Sequence, residues 1–196
     1  MSPTPPEASR PVLLVPGFLD GPGSFRSLGR HLRREGFDTR AVRLRPRLGT
    51  CSLHVFARQL AAEIWPYDEV DIVGFSMGGL VSRLYVQRHG GAARVRRLIT
   101  LATPHGGSHL ARALPQQATR EMRPGSPFLR DLDSDIERLE DVRAASLWTP
   151  YDLTVVPGAS GALSVGTSEA IPVKAHRLML HDRRVFARVT EWLKEG

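Results

Sequence analysis

The chain is nearly without cysteine and nearly without lysine. Cys51 is alone among 196 residues, so no internal disulfide can staple the fold, and one thiol cannot build a metal cage. Cys51 reads as a spectator thiol near a loop rather than as a nucleophile. A chain without disulfides fits a cytoplasmic setting. Apolar runs of about 18 residues or more are missing too, which excludes a transmembrane helix. The N-terminus, Met1-Ser2-Pro3-Thr4-Pro5-Pro6-Glu7, lacks both a basic region and an apolar core, so it does not read as a signal peptide. Residues 1–10 are expected to form a disordered arm.

Acidic residues are in deficit. Lys and Arg number 27 against 20 Asp and Glu, a net charge of +7, and only Lys174 and Lys194 are lysine. Such a surface can attract nucleic acid or anionic lipid. Yet the arginines are scattered, and the densest groups, Arg40 to Arg47 and Arg94 to Arg97, flank strand-like runs and are broken by apolar residues. No nucleic-acid-binding motif accompanies them, so nucleic acid is not expected as a partner. Peripheral membrane contact and the oligomeric state stay open at this point.

What is present alternates short apolar runs with amphipathic stretches. Strands are expected over Pro11–Pro16, Thr39–Leu44, Val70–Phe75, Val95–Leu101, Val142–Trp148 and Ile171–Ala175. Helices are expected over Ser24–Glu35, closed by Gly36, and over Ser52–Trp65, Met77–His89 and Arg183–Lys194. The stretch 108–140 breaks this rhythm, with short helices expected near Leu110–Leu114 and Pro127–Leu132. It reads either as an excursion packed on the sheet or as a small movable lid. With no internal repeat and no dividing linker, residues 11–196 are expected to form one α/β domain. Its mostly parallel central sheet of about six strands carries helices on both faces. In such sheets ligands sit beyond the carboxyl ends of the strands.

At that edge the third strand runs into Gly74-Phe75-Ser76-Met77-Gly78-Gly79 and then a helix. A G-x-S-x-G turn between strand and helix raises a serine hydroxyl above the sheet, and the glycines let backbone pack where a Cβ would clash. The helix N-terminus supplies free N–H groups for a developing anion. The bare pattern is also met as a Gly-rich turn; its strand-to-helix context makes Ser76 the candidate nucleophile.

Four blocks then resemble the α/β-hydrolase superfamily, and within it small bacterial lipases and esterases without a cap domain. They are Leu14-Val15-Pro16-Gly17-Phe18, the Ser76 block, Leu101-Ala102-Thr103-Pro104-His105-Gly106-Gly107-Ser108, and Ala175-His176-Arg177-Leu178-Met179-Leu180. One departure is Pro16, where relatives usually carry histidine; Gly17, which the loop needs for its backbone turn, is kept. The resemblance implies the chain order Ser, acid, His. His176 is then the base: it follows the last expected strand and is preceded by a small residue, as in the family pattern. His181, beside Asp182, is expected to cap or decorate the final helix. Asp152 is the acid, in a stretch ending in a Val-Val-Pro run like that of relatives. Asp131, Asp133 and Asp135 read as surface or capping groups, and Glu169 as lying before the last strand, at the wrong edge. The oxyanion hole is expected from the N–H of Met77 and, by resemblance, of Phe18. His105 is expected to make a structural hydrogen bond at the pocket floor. Leu110, Leu114, Met122, Phe128 and Leu129 are expected to border an acyl pocket. The run Arg120 to Pro127 is a further point of resemblance without an assigned role.

The resemblance thus implies cleavage of a small-molecule or lipid carboxylic ester through an acyl-enzyme, without metal or cofactor. A thioesterase, a phospholipid acyl hydrolase or an acyltransferase would use the same groups. An inactive binding module with this fold is the alternative of another class.

Overall fold

The computed structural model describes residues 10–195; the arm expected over the first ten residues lies outside them except for Arg10. Apolar runs of four to seven residues are long enough for strands and too short for buried helices. They become β1 (Val12–Val15), β3 (Val70–Phe75), β4 (Val95–Leu101) and β5 (Arg143–Trp148), flanked by β2 (Thr39–Ala41) and β6 (Thr167–Ala170). All pair in parallel, in the order β2-β1-β3-β4-β5-β6. The helices are α1 (Arg26–Arg34), α2 (Leu53–Ile64), α3 (Met77–Arg88), the short α4 (Gln117–Glu121) and α5 (Pro127–Asp133), and α6 (Arg183–Lys194).

Successive strand residues face opposite sides. Val12, Leu14, Val73, Phe75, Ile99 and Leu101 pack with Leu28, Leu32, Val185 and Val189 of α1 and α6. Leu13, Val15, Val70, Ile72 and Leu98 pack with Phe56, Leu60, Leu80 and Leu84 of α2 and α3. Local signals set the helix ends. The Ser52 hydroxyl accepts the His54 N–H at 3.2 Å and starts α2, Asp182 accepts the Arg184 N–H at 2.8 Å and starts α6, and Gly36, past the end of α1, has φ +94°.

The last strand is displaced from its expected place. It is Thr167–Ala170, not Ile171–Ala175. Ile171 and Val173 are buried, which made them look like strand. However, the Val173 N–H turns back to the Ile171 carbonyl at 2.7 Å, and Pro172 between them has no N–H to give a ladder. The real strand is polar because it lies at the sheet edge and is covered on one side only. Glu169 consequently lies inside β6, opposite Leu147. It does not precede the last strand as the sequence suggests, and its carboxylate is taken by Arg188 of α6 at 2.7 Å. The second strand also ends early, at Ala41, although Val42 still donates to the Leu14 carbonyl at 2.9 Å.

Candidate active site

Ser76 occupies the single residue between β3 and α3, with φ 53° and ψ −123°. A non-glycine residue there costs about 1–3 kcal/mol and persists only where its surroundings enforce it. The enforcement is visible. The Ser76 N–H donates to the Leu101 carbonyl at 2.9 Å, and α3 presses so closely on β1 that a Cβ on Gly78 would lie 2.2 Å from the Val15 carbonyl oxygen. Among the described residues two other non-glycine residues have positive φ, Leu19 (62°) and Ala102 (46°). Both follow strands at the same carboxyl edge, β1 and β4. Leu19, rather than Gly17, carries the left-handed turn after β1. Gly17 is needed for close approach, since a Cβ there would meet the Ser76 Cβ at 3.1 Å.

Asp152 follows β5 and His176 follows β6, and the fold brings them together. His176 Nδ1 lies 2.7 Å from Asp152 Oδ2. A carboxylate only accepts, so Nδ1 carries a proton, and in the neutral imidazole Nε2 keeps its lone pair. The other oxygen, Asp152 Oδ1, accepts the N–H groups of Thr154 and Val155, both at 2.8 Å. Phe75, next to Ser76, packs against the imidazole with ring centroids 4.7 Å apart. The Ser76 hydroxyl itself makes no hydrogen bond among the described residues. Such contacts are often long before substrate binds.

Phe18, in the turn after β1, and Met77, first residue of α3, have N–H groups that donate to no other group among the described residues. Phe18 and Ser76 both line a cavity of about 70 Å³ whose other walls include Pro104, Leu110, Leu114, Met122 and Val155. Phe128 and Leu129 do not border it, contrary to expectation. Leu129 is in the core on the α2–α3 side, and Phe128 meets the His54 ring edge-on at 5.9 Å.

Several connections were not legible in the sequence. The Ser108 hydroxyl donates to the Thr154 carbonyl at 2.7 Å and accepts the Val156 N–H at 3.1 Å, joining the cavity wall to the loop of Asp152. Asp20 pairs with Arg177 at 2.7 Å and ties the loop of Phe18 to the segment of His176. The run 120–127 acquires a structural role: Arg123 donates to the carbonyls of Ala111 and Leu114 at 3.3 and 3.0 Å, and Glu121 accepts the Leu53 N–H at 2.7 Å. Asp131, Asp133 and Asp135 are ion-paired with Arg88 or Arg83. His181 meets Ser27 at 3.1 Å rather than the site.

His105 is 3 % exposed. The Thr100 hydroxyl donates to the Ala145 carbonyl at 3.2 Å and accepts from His105 Nε2 at 3.0 Å, so His105 Nδ1 is a buried acceptor without a partner among the described residues. Burial, and then the Arg83 charge, holds this imidazole well below its ordinary 6.5. Burial lowers His89 as well. The unfolded chain therefore binds protons that the folded one refuses, and stability is full above about pH 6.5 and lost as pH falls below it. Thermal melts should show the midpoint dropping from about pH 6.5 downward, with a shallower drop in His105→Gln; an equal slope in both would assign the acid sensitivity to other groups.

Comparisons with known proteins agree with this architecture. A family model described as alpha/beta hydrolase fold matches residues 10–127. The mature form of the Bacillus licheniformis lipase BlEst2 is similar with a TM-score of 0.80 at 17% identity, over 95% of this chain and 94% of that one. Aspergillus fumigatus lipase B gives 0.84 at 18% identity, over 96% of this chain and 53% of that one. MGS-MChE2, an alpha/beta hydrolase enzyme from the sediment metagenome of the Mar Chica lagoon, Morocco, gives 0.73 at 17%, over 95% and 91%. No curated protein sequence matches the chain. No helix among the described residues is long and apolar enough to cross a membrane.

Proposed function

We propose that this chain, which belongs to the α/β-hydrolase fold family, is a serine hydrolase that cleaves carboxylic esters through an acyl-enzyme. The observation that carries the reading is the Asp152–His176 hydrogen bond of 2.7 Å at the sheet edge where Ser76 is held in a strained turn. His176 Nε2 takes the Ser76 proton as Ser76 Oγ attacks the ester carbonyl carbon. The carbonyl electron pair moves to oxygen, where the N–H groups of Phe18 and Met77 receive it. Losing one such donor costs about 3–4 kcal/mol in comparable sites. The tetrahedral species collapses, the C–O bond to the alcohol breaks, and His176 gives its proton to the leaving oxygen. Water, deprotonated by His176, then attacks the acyl-enzyme; the bond to Ser76 Oγ breaks, His176 returns the proton to Oγ, and the acid is released. The single cysteine suits the reducing cytoplasm, where we place the protein.

The cavity of about 70 Å³ is small beside the ~300–1,000 Å³ of ordinary ligand pockets. Soluble esters with short acyl groups fit it, and longer ones require the wall formed by Leu110, Ala111 and Leu114 to move aside as a small lid. Labelling with a fluorophosphonate tests the nucleophile. Wild-type protein should be modified at residue 76 and lose hydrolysis of p-nitrophenyl acetate and butyrate in parallel. A Ser76→Ala protein that labels or hydrolyses as fast as wild type would sink the assignment. Labelled protein that cleaves thioesters in preference to oxygen esters would move the reading to a thioesterase on the same groups.

A further inference from the structure

Six large apolar side chains stand in solvent around the candidate site, each on or beside a loop that forms it. Leu19 follows Phe18, Leu48 precedes Gly49, Leu110 walls the Ser76 cavity, Tyr151 and Leu153 flank Asp152, and Leu178 lies two residues past His176. Gly49 belongs to this group because a Cβ there would fall 2.7 Å from the Phe18 ring. Leu153 is 83% exposed. The remaining large apolar side chain comparably exposed among the described residues is Trp65, past the end of α2, which is 76% exposed and has the Arg94 guanidinium 5.4 Å from its ring centroid. Single exposed leucines are ordinary on soluble proteins. Six gathered at one sheet edge from five loops form a rim, and such a rim marks a contact surface.

A groove of about 720 Å³ borders the same loops, lined by Pro22, Arg43, Leu44, Arg45, Pro46 and Arg47. Past β2 the chain keeps a strand-like alternation that buries Val42 and Leu44 and turns Arg43, Arg45 and Arg47 outward. None of the three has a carboxylate partner among the described residues, whereas Arg10, Arg83, Arg88, Arg97 and Arg188 all do. The Arg47 carbonyl accepts the Leu19 N–H at 3.1 Å, so the groove and the rim share one loop.

We propose that the carboxyl edge of the sheet docks on an anionic phospholipid surface, the apolar tips entering the acyl boundary and Arg43, Arg45 and Arg47 lying at the headgroup phosphates. One weak signal gives marginal, reversible membrane binding, while an apolar insertion joined to a basic patch gives stable binding. The net charge of +7 strengthens the approach to a negative leaflet. It opposes the other occupant of such a rim, a second copy of the chain, which would bring two unpaired arginine grooves together. The docking extends the ester reading by naming the surface on which substrate is presented, yet it does not depend on the chemistry.

The Ser76→Ala protein separates the two. In flotation assays it should rise with vesicles of phosphatidylcholine mixed with phosphatidylglycerol, stay behind with phosphatidylcholine alone, and release as salt is added. Replacing Arg43, Arg45 and Arg47 together by glutamine should weaken the partitioning about 100-fold. Leu153→Ser with Leu178→Ser should weaken it about tenfold or more. In an otherwise wild-type chain both sets should leave hydrolysis of a short soluble ester unchanged, which shows that they fold. Equal binding to both vesicles, binding to neither, or indifference to the arginine replacements would overturn the proposal. So would a dimer in sedimentation that Leu153→Ser dissolves. If Ser76→Ala still hydrolyses esters, the catalytic reading fails and the flotation result stands by itself.

Discussion

Asp152→Asn is expected to lower kcat for ester hydrolysis by about 10⁴ while leaving the fold and KM close to wild type. Asp152 divides its work between two oxygens. Oδ1 accepts the N–H groups of Thr154 and Val155, both at 2.8 Å, and Oδ2 accepts His176 Nδ1–H at 2.7 Å. Asparagine keeps an oxygen for the two amides and presents an NH₂ to the imidazole. That group is a donor, so Nδ1 must become the acceptor and the ring proton moves to Nε2. The nitrogen that should take the Ser76 proton is then occupied. The imidazolium formed on proton transfer also loses its neighbouring negative charge.

Stopped-time assays on p-nitrophenyl butyrate, with melts in parallel, read both halves of this expectation. Asp152→Ala provides the contrast, because it strands the buried Val155 amide and the part-buried Thr154 amide and should cost about 1–3 kcal/mol of stability besides the activity. An Asp152→Asn enzyme within tenfold of wild type would mean that another group orients His176. Glu169 is the nearest alternative in chain order, but its carboxylate is engaged 2.7 Å from Arg188.

The parts of this molecule that were legible before folding are those written in local periodicity. The spacing of Val55, Phe56, Leu60 and Ile64 gives one helix, the run Val70–Phe75 gives a buried strand, and Gly74, Gly78 and Gly79 around Ser76 give the strained turn. Each depends on residues within a few positions of one another. Asp152 and His176 could be named only through resemblance to relatives, because nothing local says that loops 24 residues apart will meet.

What was not legible depends on which distant loops share an edge. The polar strand Thr167–Ala170 carries no apolar signal, since an edge strand leaves one side uncovered. Ile171 and Val173 are apolar because they fill the core beside α6, whatever their backbone does. The Asp20–Arg177 pair joins residues 157 positions apart in the sequence. The exposed leucines were invisible for the same reason. A lone Leu153 or Leu178 looks like any apolar residue, and only the assembled edge shows that they were left uncovered together.

The opposite edge of the sheet makes the second large demand on the chain. Asp71 on β3 and Arg97 on β4 are register partners, each only 2% exposed, with Nη1 and Oδ2 3.3 Å apart. Arg10 adds a second contact to Asp71 at 2.9 Å, and the Glu195 carbonyl accepts from Arg97 Nη2. Burial lowers the Arg97 pKa, and the Asp71 charge opposes that shift. A guanidinium cannot discard its proton at any ordinary pH, so removing Asp71 leaves a fixed charge inside the protein. Asp71→Ala should therefore cost about 3–5 kcal/mol, lowering the melting midpoint by roughly 10 °C for a chain of this size. Activity per folded molecule should not change, because the site lies at the other end of every strand. The pair itself is a weak source of net stability, since desolvating two ions offsets most of their attraction. The double replacement Asp71→Leu with Arg97→Met should consequently recover most of the loss. If the single variant loses less than about 1 kcal/mol, the guanidinium is as well solvated there as a surface ion and the account of this edge is wrong. If the double variant melts as low as the single one, shape rather than charge is what the position requires.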